Sequence, residues 1–376
     1  MVRFVHTADW QLGMRGRFLS EEARARFTQD RLDAVAAVGR LAAEHDAAFV
    51  VVAGDVFDDN QVDRRTVLRT CEVLRGFPEV PVLLLPGNHD PLDAGSVLTS
   101  EAFVEHAPAQ VRVVTDPDPI RVADDVEVVG APWPVKHPVR NPALDLLEDL
   151  PAAQGVRVLL AHGGVPEVSG DFEQVGLLPT AALEQALQAG IVHYVALGDR
   201  HSATSVGSTG RIWFSGAPEP TRHTEDNPAK ALLVEAARDR VHVTEHRVGR
   251  WSFRQRVFDV AGAEDLAEVQ RWLEAPEDKP RTIVRIGIRG TLNLAEHRRL
   301  EQALDDAEQR LGALRRWERH WELTAVPDEQ DLEAMDIGGF VAAAVQELRE
   351  AAGAGGEDGA QAGDALALLH RLVVRA

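Results

Sequence analysis

Five short polar clusters, each placed where an apolar run stops, carry the residues of this chain that could do chemistry. They are HTADWQLG at 6–13, AGDVFD at 53–58, PGNHD at 86–90, AHGG at 161–164 and LGDRH at 197–201. Together they supply Asp9, Gln11, Asp55, Asn88, His89, His162, Asp199 and His201. Carboxylate, amide and imidazole donors without a thiolate suit two divalent cations and a phosphate ester. Asp9 and Gln11 lie two apart as a strand ends, so both side chains can face one ion. Asp55 follows the VVVAG run, where an exposed carboxylate can bridge two cations. In PGNHD, Asn88 offers a carbonyl oxygen and His89 an imidazole, which Asp90 could orient by accepting its second N–H. Taken singly, GD at a strand end is a turn, NHD an Asx-type turn, and a buried histidine a satisfied core residue. Five such clusters in order, each after an apolar strand, point to a metal site. His6, His137, His193 and His223 lack that setting and read as structural.

The elements that must hold these donors alternate. VRFVHTAD, a helix over 21–45, AAFVVVAGD, a helix over 63–76 and VPVLLLPGNHD read as β-α-β-α-β, with continuous Val/Leu runs typical of strands covered on both faces. Further apolar segments follow at 126–132, 156–163, 193–199, 211–218 and 230–236. The polar clusters therefore sit at carboxyl ends of strands, the edge where ligands bind in open α/β sheets. Beyond RVHVTEHRVG the texture changes. FRQRVFDVAG, AEDLAEVQRWLEAP, RTIVRIGIRG and AEHRRLEQALDDAEQRLGAL read as β-α-β-α, enough for a small α+β domain. DLEAMDIGGFVAAAVQELREAA reads as a helix, AGAGGEDGAQAG as a flexible break and DALALLHRLVVRA as a last short apolar helix. The expected division is a layered α/β core over 1–248, an α+β domain over 249–325 and a helical tail over 326–376.

Size agrees, since single cores stop growing near about 250 to 300 residues and the chain has 376. A formal charge of -20 argues against nonspecific binding of the whole surface to nucleic acid or anionic membrane. DNA stays open, because an acidic site binds phosphate through the cations it holds. Lysine occurs only at Lys136, Lys230 and Lys279, so arginine supplies nearly all the positive charge. Arg15, Arg17, Arg24, Arg26, Arg64, Arg65, Arg69, Arg211 and Arg222 could form a basic rim, although arginine on a helix face is usually just solvated. Trp10, Trp133, Trp251 and Trp317 are expected to pack in the core or between domains. Cys71, the one cysteine, sits in the helical pattern TVLRTCEVLRGF and reads as core. The N-terminus opens on a strand without a charged leader, and no apolar run approaches the roughly 18 residues that span a bilayer. A cytoplasmic protein without membrane attachment is the simplest expectation.

The ordered set resembles the calcineurin-like metallophosphoesterase superfamily, whose pattern runs D-x-H, G-D-x-x-D, G-N-H-D/E, H and G-H-x-H. HTADWQLG, GDVFD and the later FSGAPEPTR are similar to a narrower group, the SbcD-type DNA repair exonucleases. The specific motifs cover residues 1–236; beyond 250 the similarity is one of arrangement, a capping domain followed by helices. The resemblance implies a layered metallophosphoesterase core and a nuclease that hydrolyses DNA phosphodiesters in double-strand-break repair. It also implies partnership with an SbcC-like SMC-type ATPase, which grips helices after the capping domain, and allows a homodimer through the core. By position it implies that Asp9, Gln11, Asp55 and His201 surround one metal, and Asp55, Asn88, His162 and Asp199 the other. Mn²⁺ is the family's usual ion. His89 would be the catalytic histidine and Asp90 its orienting partner. Two positions depart from the pattern: Gln11 and Asp199 each stand where the family has histidine, which moves the site toward oxygen-rich coordination and implies weaker binding at the Gln11 side. Two other readings stay open, a phosphodiesterase or phosphatase for small or protein substrates, and a catalytically weakened DNA-binding scaffold.

Overall fold

The apolar runs of the first 250 residues pair into two sheets. In the first, β1 (Val2–Thr7), β2 (Val50–Val52), β3 (Val82–Leu84) and β4 (Val111–Val113) run parallel, while β11 (Lys230–Ala236) and β12 (Val241–Arg247) extend it antiparallel beyond β1. The second has the order β5 (Ile120–Ala123), β6 (Val126–Gly130), β7 (Val156–His162), β8 (Tyr194–Gly198), β10 (Ile212–Phe214) and β9 (Thr204–Val206). Within it β6, β7, β8 and β10 are parallel. This computed structural model describes residues 1–169, 176–327, 340–354, 358, 359, 361–366 and 368.

Residue parity sorts the strands' side chains into layers. Phe4, Val51 and Leu83 of the first sheet meet Val158, Leu160 and Tyr194 of the second in one core. Their neighbours Val5, Val50, Val52, Val82 and Leu84 point the other way, onto Val35 and Val38 of α1 (Glu21–Glu44) and Cys71 and Leu74 of α2 (Arg64–Arg75). On the far side Leu159, Ala161, Val195 and Leu197 pack against Leu146 of α4 (Pro142–Asp149) and Leu183 of α6 (Thr180–Gln188). Two one-turn helices, α3 (Glu101–Val104) and α5 (Pro166–Ser169), lie in the connections between strands. The result is the expected layered α/β core, in the order helix, sheet, sheet, helix. Helix α2 begins where Asp63 accepts the Thr66 N–H at 2.7 Å, an N-cap that satisfies an otherwise unpaired donor.

The chain divides into two compact units, Met1–Arg17 with Arg24–Trp251, and Phe18–Ala23 with Ser252–Ala376. The second unit is built on a parallel sheet of β13 (Ser252–Val260), β14 (Thr282–Leu292) and β15 (Ala313–Ala325), with α7 (Ala263–Glu274) and α8 (Leu294–Glu308) as crossovers. Phe258, Val269, Ile286, Leu300 and Leu304 form its core. The third strand goes beyond the β-α-β-α pattern read from the sequence. ALRRWERHWELTA hides its strand character because its arginines lie on aromatic rings: Arg316 sits 4.5 Å from the Trp321 ring and Arg319 4.7 Å from the Trp317 ring, whose other neighbour is Arg285 of β14 at 4.4 Å. Trp317 is thus half-buried between guanidinium groups, which corrects the core alternative of the expectation. Of the tail, α9 (Phe340–Gly353) is helical as expected, while 331–339 and most of the last apolar segment lie outside the described residues. Within the Gly/Ala stretch, 358–359 and 361–363 are helical where a break was expected, since alanine's helix propensity offsets the glycines, and 364–366 of the last apolar segment are helical as expected. Among the described residues no helix is long and apolar enough to cross a membrane.

One polar bridge crosses the layer between the two sheets. His6 of β1 is fully buried, with Nε2 3.2 Å from the Leu197 carbonyl and Nδ1 3.0 Å from the Tyr194 hydroxyl. A carbonyl only accepts, so Nε2 carries the proton and Nδ1 accepts from Tyr194. Burial lowers the His6 pKa to about 3, against the Leu197 hydrogen bond. A folded pKa below the unfolded one gives stability that is present above pH 6.5 and lost on acidification toward 3. We expect the stability difference between wild type and His6→Gln to shrink by about 1.4 kcal/mol per pH unit below that point. Urea unfolding at several pH values checks this; a difference independent of pH would refute it.

Candidate metal centre

The donors gather because the parallel strands of both sheets end at one edge. Asp9 follows β1, Asp55 follows β2, Asn88 and His89 follow β3, His162 is the last residue of β7, and Asp199 comes directly after β8. The loops are laced to one another by main-chain hydrogen bonds, Asp9 N to Gly54 O and Gln11 N to Asp55 O, each 3.0 Å. Four of the site residues have left-handed backbones: Asp9 at φ 52°, Gln11 at 48°, Asp55 at 55° and Asp199 at 98°. That conformation is uncommon for residues with a Cβ and is typically held by surrounding structure at functional sites. Gly87 lets its loop approach as closely as it does, since a Cβ there would lie 2.2 Å from Asp55 Oδ1.

Asp9, Asp55 and His162 are buried, and one ligand atom from each lies within 4.8 Å of the others. His162 Nε2 is 3.5 Å from Asp55 Oδ1 and 3.9 Å from Asp199 Oδ1. The Asn88 amide lies 2.9 Å from His162 Nε2 and, with its NH₂ turned to the carboxylate, donates to each Asp55 oxygen at 3.2 Å. Gln11 Nε2 donates to Asp55 Oδ2 at 2.9 Å, which leaves its amide oxygen for a cation. The Asp199 N–H donates to Asp9 Oδ1 at 3.0 Å. His201 turns Nδ1 toward Thr221 Oγ1 at 2.7 Å and Glu225 Oε1 at 3.0 Å, so Nε2 is its ligand atom.

Asp90 is not the partner of the His89 ring. Its oxygens accept from the main-chain N–H groups of Gly87 at 2.8 Å and Phe57 at 3.1 Å, so this buried carboxylate clamps the loop. The His89 ring instead donates from Nδ1 to the Asp58 carbonyl at 2.7 Å, while its main-chain N–H donates to Asp55 Oδ1 at 3.0 Å. The correction has a simple cause: adjacent residues in a tight turn point their side chains apart, and only a loop from another strand can meet the ring.

The field in this pocket is strongly negative. Burial raises the Asp9 pKa to about 6, with Asp55 and Asp199 adding to the rise and His201 and His162 opposing it. Burial and the Asp55 charge push Asp90 up to about 7 against two main-chain hydrogen bonds. Burial would depress His162, yet Asp55, Asp9 and Asp199 outweigh it and lift its pKa to about 9. A site that holds a buried imidazole charged is one that stabilises added positive charge. With its oxygen and imidazole donors, this set fits divalent cations.

Several supporting residues went unread in the sequence. Glu225 orients His201 and is itself held by the Thr221 N–H at 3.0 Å. Trp133 Nε1 and Asn141 Nδ2 both donate to the His162 carbonyl, at 2.9 and 2.8 Å. Arg31 of α1 donates to Trp10 O at 3.1 Å and Pro220 O at 2.8 Å, tying two site loops together. A buried arginine inside an amphipathic helix gives no signal in sequence, though a Thr-x-x-x-Glu spacing after FSGAPEP could have flagged Glu225. Trp10, Trp133 and Trp251 are buried, as expected. Of the basic rim, Arg211 belongs elsewhere: it precedes β10 and bonds to the Arg238 and Asp239 carbonyls, at the opposite edge of the sheet from the donors.

A family model described as calcineurin-like phosphoesterase matches residues 2–203, the part of the chain that builds both sheets' donor loops. Among curated relatives, the DNA double-strand break repair protein Mre11 of Haloferax volcanii is 28% identical over 275 residues, 72% of this chain and 58% of that protein. The SbcD subunit of the nuclease SbcCD from Rhodobacter capsulatus is 26% identical over 60% of this chain and 64% of its own length. Its counterpart from Bacillus subtilis is 26% identical over 80% of this chain and 83% of its own. The chain thus spans about three fifths of the first two relatives. The match over more than half of the chain, on a site of buried carboxylates and imidazoles at the ends of two sheets, places it: this chain belongs to the calcineurin-like phosphoesterase family.

Proposed function

We propose that this chain is a metal-dependent DNA nuclease of double-strand-break processing that works with an SMC-type ATPase of the SbcC kind. The observation that carries the reading is the convergence of Asp9, Asp55 and His162 on one buried point, with the His89 main-chain N–H bonded to Asp55 Oδ1. The relatives named as a repair protein and as nuclease subunits support DNA as the substrate. Asp9, Gln11, Asp55 and His201 would hold one cation, and Asp55, Asn88, His162 and Asp199 the other. When bound, the cations polarise the phosphodiester and supply a water-derived nucleophile. The chain's own groups do the rest. Asp55 would be shared between the two positions, and the Gln11 amide would offer its oxygen while its NH₂ steadies Asp55. His89, fixed through Nδ1 by the Asp58 carbonyl, presents Nε2 to hold or protonate the leaving oxygen. Mn²⁺ is the ion proposed, with the Gln11 side the weaker, because a neutral amide replaces an imidazole there. Residues 1–248 act as the nuclease core, 249–325 as the cap, and the tail, including α9, as the segment the ATPase grips.

Mn²⁺-dependent digestion of end-labelled duplex DNA, with and without the candidate ATPase, tests chemistry and partner together. Hydrolysis of a small chromogenic diester without cleavage of DNA would overturn the DNA reading, and Mn²⁺ bound with neither substrate cleaved would favour a scaffold. His89→Ala is expected to lower the cleavage rate by about 10² to 10⁴ with Mn²⁺ and DNA binding retained. Full activity in that variant would remove His89 from the mechanism.

A further inference from the structure

Beside the donors lies a cavity of about 320 Å³ lined by Asp199, His201, Arg200, Arg222, Thr224 and Glu225. We infer that it is a second phosphate subsite, anchored by Arg222, which takes the phosphate next to the scissile one in a polynucleotide strand. The inference rests on the nuclease reading above and makes it more specific. Two proposed ligands are among the lining residues, so the cavity is continuous with the place of reaction, and its volume falls at the lower end of small-ligand sites.

Its two arginines differ in what they can do. Arg200 is committed: Nε donates to Thr204 Oγ1 at 2.9 Å, Nη1 to the Val168 carbonyl at 3.1 Å, and Nη2 pairs with Asp226 at 3.5 Å. It contributes a fixed positive charge. Arg222 has a side chain 61% exposed and, among the described residues, makes one long ion pair, 3.8 Å from Nε to Glu225 Oε1. That carboxylate already accepts from Thr221 and faces His201, so Arg222 can turn to an anion without stranding a buried acid. Arg222 is nevertheless not a loosely held surface residue. The residue before it, Thr221, is fixed through its N–H and hydroxyl to Glu225, whose side chain is only 4% exposed. The guanidinium is therefore delivered to the cavity from an anchored backbone, where its planar fork suits a phosphate. A small diester has no second phosphate to offer this site, whereas every internal position of a strand does.

The test compares Arg222→Ala, Arg222→Glu and Arg222→Lys with wild type, using Mn²⁺, a labelled single-stranded oligonucleotide and bis(p-nitrophenyl) phosphate. The ratio of kcat/KM for the oligonucleotide to that for the diester is expected to fall about tenfold in Arg222→Ala, the worth of one charge-assisted phosphate contact. It should fall further in Arg222→Glu and be partly restored in Arg222→Lys, with the loss in KM. The slope of oligonucleotide KM against salt should drop by about 0.7, one phosphate's share for a single strand. An unchanged ratio, whether both substrates suffer equally or neither does, overturns the subsite and leaves the nuclease reading standing. A wild-type chain that hydrolyses the diester but not the oligonucleotide overturns both.

Discussion

Replacing Asp55 by Asn is expected to lower turnover by at least about 10³, about 4 kcal/mol of barrier, while the fold survives. The substitution is nearly isosteric and keeps one oxygen for the His89 N–H, which Asp55 accepts at 3.0 Å. Asparagine also tolerates the left-handed backbone at φ 55°, where a larger or β-branched residue would be strained. What changes is charge. Asp55 would serve both proposed cation positions and helps to hold His162 protonated, so its loss should weaken the field for both ions at once. Stability should move little, because the same carboxylate raises the pKa of Asp9 and Asp90 by repulsion. Losing that repulsion offsets the lost attraction to His162, and the melting temperature should stay within about 4 °C. Diester hydrolysis, Mn²⁺ titration calorimetry and thermal melting together decide the matter. A variant with near wild-type turnover would mean that Asp55 is not shared between cations.

The donors were legible in sequence for a physical reason. In a parallel sheet the side chains at strand ends are the ones free of packing, so a polar cluster after an apolar run marks a ligand edge. That logic found Asp9, Gln11, Asp55, Asn88, His162 and Asp199, which the fold brings to one edge of two sheets. It also gave helices within a residue of α1 and α2. It could not assign hydrogen-bond partners across loops. Adjacency in sequence suggests that Asp90 pairs with His89, whereas the fold pairs Asp90 with Gly87 and Phe57 and His89 with Asp58. Nor could it reveal that the apolar runs make two sheets rather than one, since an all-apolar strand reads the same in either. Strand β15 was missed because arginines stacked on tryptophan rings look like a charged loop.

Removing Arg31 should cost heavily in stability. It is 2% exposed, lies 4.6 Å from the Phe27 ring, and spans from the Trp10 carbonyl to the Pro220 carbonyl. Trp10 stands between Asp9 and Gln11, and Pro220 precedes the Thr221 that touches His201. One buried guanidinium thus sets the spacing of the loop that carries Asp9 and Gln11 and the loop that orients His201. Burial lowers its pKa to about 10 against the attraction of Glu219, Glu225 and Asp58, so it is charged at neutral pH. Arg31→Met fills the volume but leaves two buried carbonyls without their donor. We expect a loss of about 3 to 5 kcal/mol in urea unfolding. Arg31→Lys keeps the charge but cannot reach both carbonyls with one ammonium, so it should recover only part of that loss.

Glu219 provides a second, pH-dependent signature. Burial raises its pKa to about 7, against donation from the Arg250 and Trp251 N–H groups and the attraction of Arg31. A raised folded pKa means stability that is present below the unfolded value and lost as pH rises through the folded one. Without Arg31 the folded value climbs further, so the cost of ionising Glu219 continues to grow where the wild type has levelled off. The stability gap between wild type and Arg31→Met should therefore widen above pH 7, and a gap that stays constant there would uncouple the two groups. Mn²⁺ affinity measured on the folded fraction should fall in parallel, because the loops that hold Gln11 and His201 lose their common anchor. A destabilised variant that binds Mn²⁺ as tightly as wild type would reduce Arg31 to a packing role.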